Sequence, residues 1–291
     1  MNNILHYNKD KNHLVNTYYI ALIPLLLFSF YKNGILLYQN DFISFWDMFL
    51  PFYFYIIGGL VGFLVAWISK RDIKEFVLYG LILSCTISIN TNMIVYPILM
   101  FVSLFVSSYL SLKKEFNILA STRLFLLLAL LLNSYSYLNV AEKLNAFNYG
   151  VFDLFFGYGV GGIASNGLFF VLLAFLILSF NKFYKKIIPM VASLVFFAFF
   201  LFLFLITKNI SYLDLLVNGS VYFGFVFVGA DLYVTPSTKK GMTLYGIVIG
   251  LLTTILALFL PIYEVAYLSI FLCSFFVSVF DRFFEKKYLH C

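Results

Sequence analysis

Charge is scarce in this 291-residue chain: Asp, Glu, Lys and Arg make up 11% of it, against roughly 25% in soluble globular domains. Nineteen Lys and Arg with 13 Asp and Glu cannot coat a water-exposed particle of this length, so a soluble globular fold is excluded. Disorder is excluded too, because it needs few apolar and many charged residues. The three cysteines, Cys85, Cys273 and Cys291, are too scattered for a disulfide framework or a zinc cluster. His6, His13 and His290 all lie in terminal segments, which removes a haem ligated by histidines on facing membrane helices. No P-loop, no G-x-G-x-x-G after a strand, no H-E-x-x-H and no nucleophile elbow is found. The net charge of +6 is spread in small groups, so no basic face for nucleic acid forms.

What is abundant is apolar surface. Hydrophobic residues make up 63% and aromatic ones 21% of the chain. A helix crosses a bilayer with about 20 mostly apolar residues, and short polar breaks divide the sequence into ten such segments. They fall near 17–38, 48–68, 73–90, 93–111, 117–138, 165–181, 187–206, 213–231, 242–260 and 262–280. The eighth is the weakest, interrupted by Asn218, Gly219, Ser220 and Gly224. Runs such as Leu194–Ile206 lack the alternation of membrane β-strands, so the spans are helices. The expected fold is all-α and polytopic, a single membrane domain over 1–291.

Basic residues flanking spans gather on the cytoplasmic side. With the amino terminus inside, Lys9, Lys11, Lys70, Arg71, Lys74, Lys113, Lys114, Lys182, Lys185, Lys186, Lys239, Lys240, Arg282, Lys286 and Lys287 all fall there. Lys32, Lys143 and Lys208 fall opposite. A miscounted span would scramble this alternation. The expectation is therefore ten helices in the cell membrane with cytoplasmic tails at 1–16 and 281–291. No cleavable signal is evident, because 6–16 is polar and the first apolar run lacks a small-residue cleavage site.

Three places depart from plain lipid-facing helix. The connection 139–166 carries Asp153, Gly157, Gly159, Gly161 and Gly162. It reads either as a surface loop or as a re-entrant segment near 155–166, and the latter survives in a membrane only when covered by protein or lining a wet cavity. The stretch Gly229–Gly241, with Asp231, Pro236, Thr238, Lys239 and Lys240, reads on physics alone as an ordinary turn, since Pro236 disfavours helix at Thr235. Asp47, Arg123 and Glu264 are ionisable groups at membrane depth. Such groups face the bundle interior or a cavity. Arg123 is also placed to snorkel to the inner surface, and the two acids are close enough to helix ends to be hydrated.

The Gly229–Gly241 stretch resembles the A-T-D-P-V-T-S-P-x-T-x-K-G signature of a membrane redox family. That family contains the D subunit of the Rnf electron-transport complex and the B subunit of the sodium-pumping NADH:quinone reductase. Asp231, Pro236, Thr238, Lys240 and Gly241 keep the spacing, with Leu232 in place of the first proline. Leu14–Leu27 is similar to the family's first helix. Lys114–Ala120, with Asn117, resembles the K-N-x-F-N-P-A start of the fifth, here without its proline. Asp153–Ile163, with Gly157 and Gly161, resembles L-F-L-G-x-x-P-G-S-I. Pro261–Val265 followed by Asp281 and Arg282 resembles the Y-P-E-G-V and I-D-R ending.

The resemblance implies a membrane subunit of an Rnf-like ion-translocating complex, at most one part of a translocating oxidoreductase and not catalytic alone. Its implied partners are the lipid bilayer and other Rnf-type subunits, including an extracytoplasmic one bearing a flavin. Family members esterify a flavin mononucleotide to a threonine in S/T-G-A-T, just before the D-L-F-x-G segment. The corresponding residues 137–150 contain neither Ser nor Thr, which argues against covalent flavin and leaves a non-covalently held one open. Gly161–Gly167 also lacks the family's glutamate. The alternative reading is a transporter or assembly factor on the same scaffold without a redox role.

Overall fold

The computed structural model describes residues 2–112, 116–131, 150–159, 161–231 and 234–285, with backbone alone at 2–10, 130–131 and 282–285. Among these residues there are helices and no strand. The first helix, α1 (Asn2–Phe30), runs on through a π turn (Tyr31–Ile35) and a last turn (Leu36–Gln39). Then come α2 (Leu50–Ser69), α3 (Ile73–Thr86), α4 (Val95–Leu110), α5 (Ile118–Leu131) and the short α6 (Val151–Phe156). The second half contains α7 (Leu168–Ser179), α8 (Ile187–Thr207), α9 (Ser211–Leu216) and α10 (Gly219–Phe223), the last extended by a π turn (Gly224–Gly229). It closes with α11 (Lys239–Ala257), α12 (Ile262–Ser274) and α13 (Val277–Glu285).

A helix occupies each of the ten expected spans. Among the described residues five, at Lys11–Gln39, Asp47–Ser69, Ile187–Thr207, Ser211–Gly229 and Lys239–Ala257, are long and apolar enough to cross a bilayer. The helices at Val95–Leu110, Ile118–Ala129, Leu168–Ser179 and Ile262–Ser274 are shorter and apolar. The fold is thus an all-helical multi-pass membrane architecture. Helix α1 starts far into the segment expected as a tail, and α3 stops short of residue 90. Residues 286–291 of the expected C-terminal tail lie outside the described residues.

Burial follows helical spacing. In α8, Ile188, Ala192, Phe196 and Phe200 are fully buried, while Leu194, Phe202, Leu205 and Ile206 point outward. An apolar outer face suits lipid, where a soluble helix would be polar. Helices α2 and α3 lie back to back at Gly58 and Gly80, where a Cβ on either would collide with the other's backbone. Neighbour relations in the first half recur in the second. Helix α4 packs on α2 and α5, as α11 packs on α8 and α12. The halves meet where α1 lies against α7 and α5 against α12.

Two cavities sit at opposite ends of α2. One, of about 500 Å³, is lined by Asn33, Asp47, Leu50 and Ile89–Ile94. The other, of about 460 Å³, is lined by Lys11, Lys70–Asp72, Glu75, Phe116, Ile118 and Asp231. The 20 residues of α2 separate them by about 30 Å at 1.5 Å per residue, the thickness of a bilayer's hydrocarbon core.

Candidate functional site

Beside the second cavity one helix is interrupted. Helix α10 passes into the buried π turn Gly224–Gly229, then ends. π turns interrupt the regular ladder and are frequent at functional sites. The carbonyls they free need donors, and distant side chains supply them. Tyr184 donates to the Val226 carbonyl at 2.9 Å, Asn117 Nδ2 to Val228 at 2.8 Å and Tyr18 to Ala230 at 3.2 Å. Asn117 also caps the start of α5, its Oδ1 accepting from the Ala120 N–H at 2.8 Å.

This scaffold holds Asp231, 5% exposed, against α3. The Tyr79 hydroxyl lies 2.7 Å from Glu75 and 3.3 Å from Asp231. One phenolic proton serves one carboxylate at a time, so the hydroxyl links the two acids and donates to either of them. Lys11 reaches Glu75 at 2.7 Å and Asp72 at 3.2 Å. Asp72 also caps α3, accepting from the N–H groups of Lys74 and Glu75. Burial works against its charged form, yet Lys11 and these bonds hold the carboxyl below the ordinary carboxylate value. Glu75, at 3% exposure, lies four residues from Tyr79 and on the same helix face.

The signature residues after Asp231 do not form a bare turn. The Asp281 carboxylate on α13 accepts from the N–H and hydroxyl of both Ser237 and Thr238, at 3.0 to 3.2 Å. Those bonds outweigh burial and lower the Asp281 pKa. Thr238 caps α11, accepting from the Gly241 N–H at 3.0 Å. Lys185 donates to the Thr235 carbonyl at 3.1 Å, and Thr235 donates to the Asp231 carbonyl at 3.0 Å. Burial lowers the Lys185 pKa, and the nearby Asp231 and Asp281 charges oppose that shift. Two signature stretches 44 residues apart, Ser237–Thr238 and Asp281, therefore meet. Pro236 lies in this loop beside Gly241; Lys240 lies in the exposed first turn of α11, and Arg282 follows in α13.

At the other end, residues 157–159 and 161–167 form irregular and mostly buried backbone. Asp153 caps α6 by accepting from the Gly150 N–H at 2.9 Å. Gly157 then turns the chain with φ 102°, where a Cβ would meet the Gly167 Cα at 2.5 Å. Gly161 packs against the Asn166 side chain. The segment is covered by protein on several sides. The Ile163 N–H donates to the Ile87 carbonyl, Ala164 and Ser165 donate to Cys85, and the Gly219 N–H donates to Asn166. Lys32 Nζ donates to Gly159 at 2.7 Å and Asn33 to Ile163 at 2.9 Å. Lys32 thus lies inside the first helix at 3% exposure, not in an outer loop as its flanking polar residues suggest. The stretch 137–149, where the sequence lacks a flavin acceptor, lies outside the described residues, and 150 is a glycine.

Of the three ionisable groups expected at membrane depth, two meet. The Arg123 guanidinium lies 2.5 Å from Glu264 and 3.3 Å from the Thr86 carbonyl, fully buried. It does not snorkel. Glu264 is 8% exposed, while Asp47 sits in a solvent-exposed 3₁₀ turn, accepting from Ser44 at 2.8 Å. Among the described residues no three His, Cys, Asp or Glu gather as a metal cluster. Cys85 and Cys273 are buried free thiols.

Reasoning from sequence missed Lys11, Glu75, Tyr79, Lys32 and Asn33. The available signal for one pair was the four-residue spacing of an acid and a tyrosine in an otherwise apolar helix. A family model described as NQR2, RnfD, RnfE matches residues 2–290. The comparison with curated proteins found no match.

Proposed function

Since the chain belongs to the NQR2, RnfD, RnfE family, we propose that it is the D-type membrane subunit of an ion-translocating electron-transport complex and that it carries no covalent flavin. Membership makes it a membrane subunit of an Rnf- or Nqr-type assembly. The finer reading adds placement in the cell membrane with both termini cytoplasmic. It also adds partnership with small polytopic subunits and with an extracytoplasmic subunit that bears the flavin.

The observation that carries the ion-translocating part is the hydrogen-bonded Glu75–Tyr79–Asp231 group facing the cavity of about 460 Å³. Buried carboxylates in membrane helices mark ion and proton pathways. Here a family-signature acid is one of them. Lys11 neutralises the group at its mouth, so an arriving proton or monovalent cation exchanges with a tethered ammonium. The chemistry of residues 137–150 does not fit a flavin phosphoester, because it offers no hydroxyl outside the Tyr137 and Tyr149 phenols. No step is routed through such a group. The aromatic-rich bundle leaves a non-covalently stacked flavin as a variant of the same reading.

A second reading, a transporter or assembly factor without redox role, draws on one contrast. The Asp231–Gly241 signature is retained while the flavin acceptor is missing. Deleting the chain separates the two. Loss of membrane electron transfer supports the complex subunit; intact electron transfer, with solute uptake by liposomes holding the chain alone, supports the transporter.

A further inference from the structure

The Arg123–Glu264 pair stands between the two cavities. Ile118 lines one of them, and Arg123 is five residues further along α5, about 7.5 Å by helical rise. Its other partner, Thr86, ends α3, three residues before Ile89, which lines the opposite cavity; three extended residues span about 10 Å. The place where the guanidinium sits combines three features that favour a cation. The last carbonyls of α3 carry the negative end of the helix dipole. The Tyr267 ring centroid lies 5.7 Å from Arg123 Cζ, within cation–π range. The third is the Glu264 carboxylate itself. A buried ion pair is weak evidence for stability, since apolar residues of similar volume often do as well.

We infer that Glu264, the Thr86 carbonyl and the Tyr267 face form a seat for a monovalent cation, filled in this conformation by Arg123 as a tethered cation. The inference rests on the ion-translocating reading above. A mobile cation reaches Glu264 only when Arg123 swings away, so the pair closes the axis between the cavities. Arg123→Ala opens the seat. The full-length variant in detergent is melted with millimolar guanidinium, sodium or choline chloride at equal ionic strength. Guanidinium is expected to raise its Tm by about 5 °C, sodium by less, and choline, which has no N–H to donate to Glu264 or the Thr86 carbonyl, not at all. The unsubstituted protein and Arg123→Leu/Glu264→Leu are expected not to respond. Equal responses to all three salts, or none, overturn the inference.

If Arg123→Ala yields no folded protein, the double leucine variant decides within the native complex. Electron transfer retained with the cation gradient lost supports the seat. An unchanged gradient, or loss of both activities together, overturns it. A complex that transfers electrons without this chain at all sinks the subunit reading instead, and the melting experiment still stands.

Discussion

Arg123 and Glu264, 141 residues apart in sequence, form a buried ion pair that ties α5 to α12 where the two halves of the molecule meet. Removing one partner leaves the other charge buried, a loss of roughly 3–5 kcal/mol. Glu264→Gln is therefore expected to lower stability by that order. Replacing both residues with leucine should cost far less. Thermal unfolding of the three proteins in one detergent checks the ordering.

Asp281 is the clamp on the signature loop. Asp281→Asn keeps the shape but loses the charge assistance in these bonds, a total of roughly 1.5–3 kcal/mol for a partly exposed carboxylate. The pH dependence follows from the sign of its shift. The folded-state pKa is depressed, so its contribution is complete above the ordinary aspartate value near 3.9. It is lost as pH falls through the lower folded value. Asp72 is depressed in the same way. Stability followed from pH 6 (roughly neutral) into the acid range should fall less steeply for Asp281→Asn than for the unsubstituted protein.

Gly157→Ala should destabilise by about 1–3 kcal/mol, the cost of holding an L-residue in a sparsely populated backbone region, with added crowding against Gly167. Gly150→Ala is the control: Gly150 has φ −78° and a Cβ there would meet Asp153 Oδ2 at 3.7 Å, an ordinary van der Waals contact, so it should change little. Melting temperatures of the two variants make the comparison.

Topology gives a further check. Reporter tags at 145 and at 240 are expected on opposite sides of the membrane, with 240 cytoplasmic. Both on one side would break the positive-inside assignment.

The helices were legible because each is an apolar run bounded by charge or turn residues, and lipid demands such runs. The weak eighth span was legible even in its flaws. Asn218 and Gly219 mark the break between α9 and α10, and Gly224 begins the π turn. The glycine run at 157–162 left a surface loop and a covered, irregular segment both open, and the hydrogen bonds of Ile163, Ala164 and Ser165 to α3 and the residue after it show the described part covered. The site was less legible, because its contacts are long-range. Nothing local joins Tyr79 to Asp231, 152 residues away, or Asn117 to the Val228 carbonyl, 111 away. Lys32 misled because Tyr-Lys-Asn-Gly looks like a loop edge, while the fold buries it under Gly159. Asp281 resembled a family ending by sequence, but only the fold shows it capping Ser237 and Thr238.

On this reading the chain works as a membrane subunit of a redox complex and carries no covalently attached flavin. Intact-mass spectrometry of the complex drawn from native membranes, followed by release of its subunits, tests it most directly. The account predicts this chain in stoichiometric company with other Rnf-type subunits, at its unmodified mass, and a flavin adduct on a partner. The chain recovered without such partners, or itself carrying a covalent flavin, would contradict it.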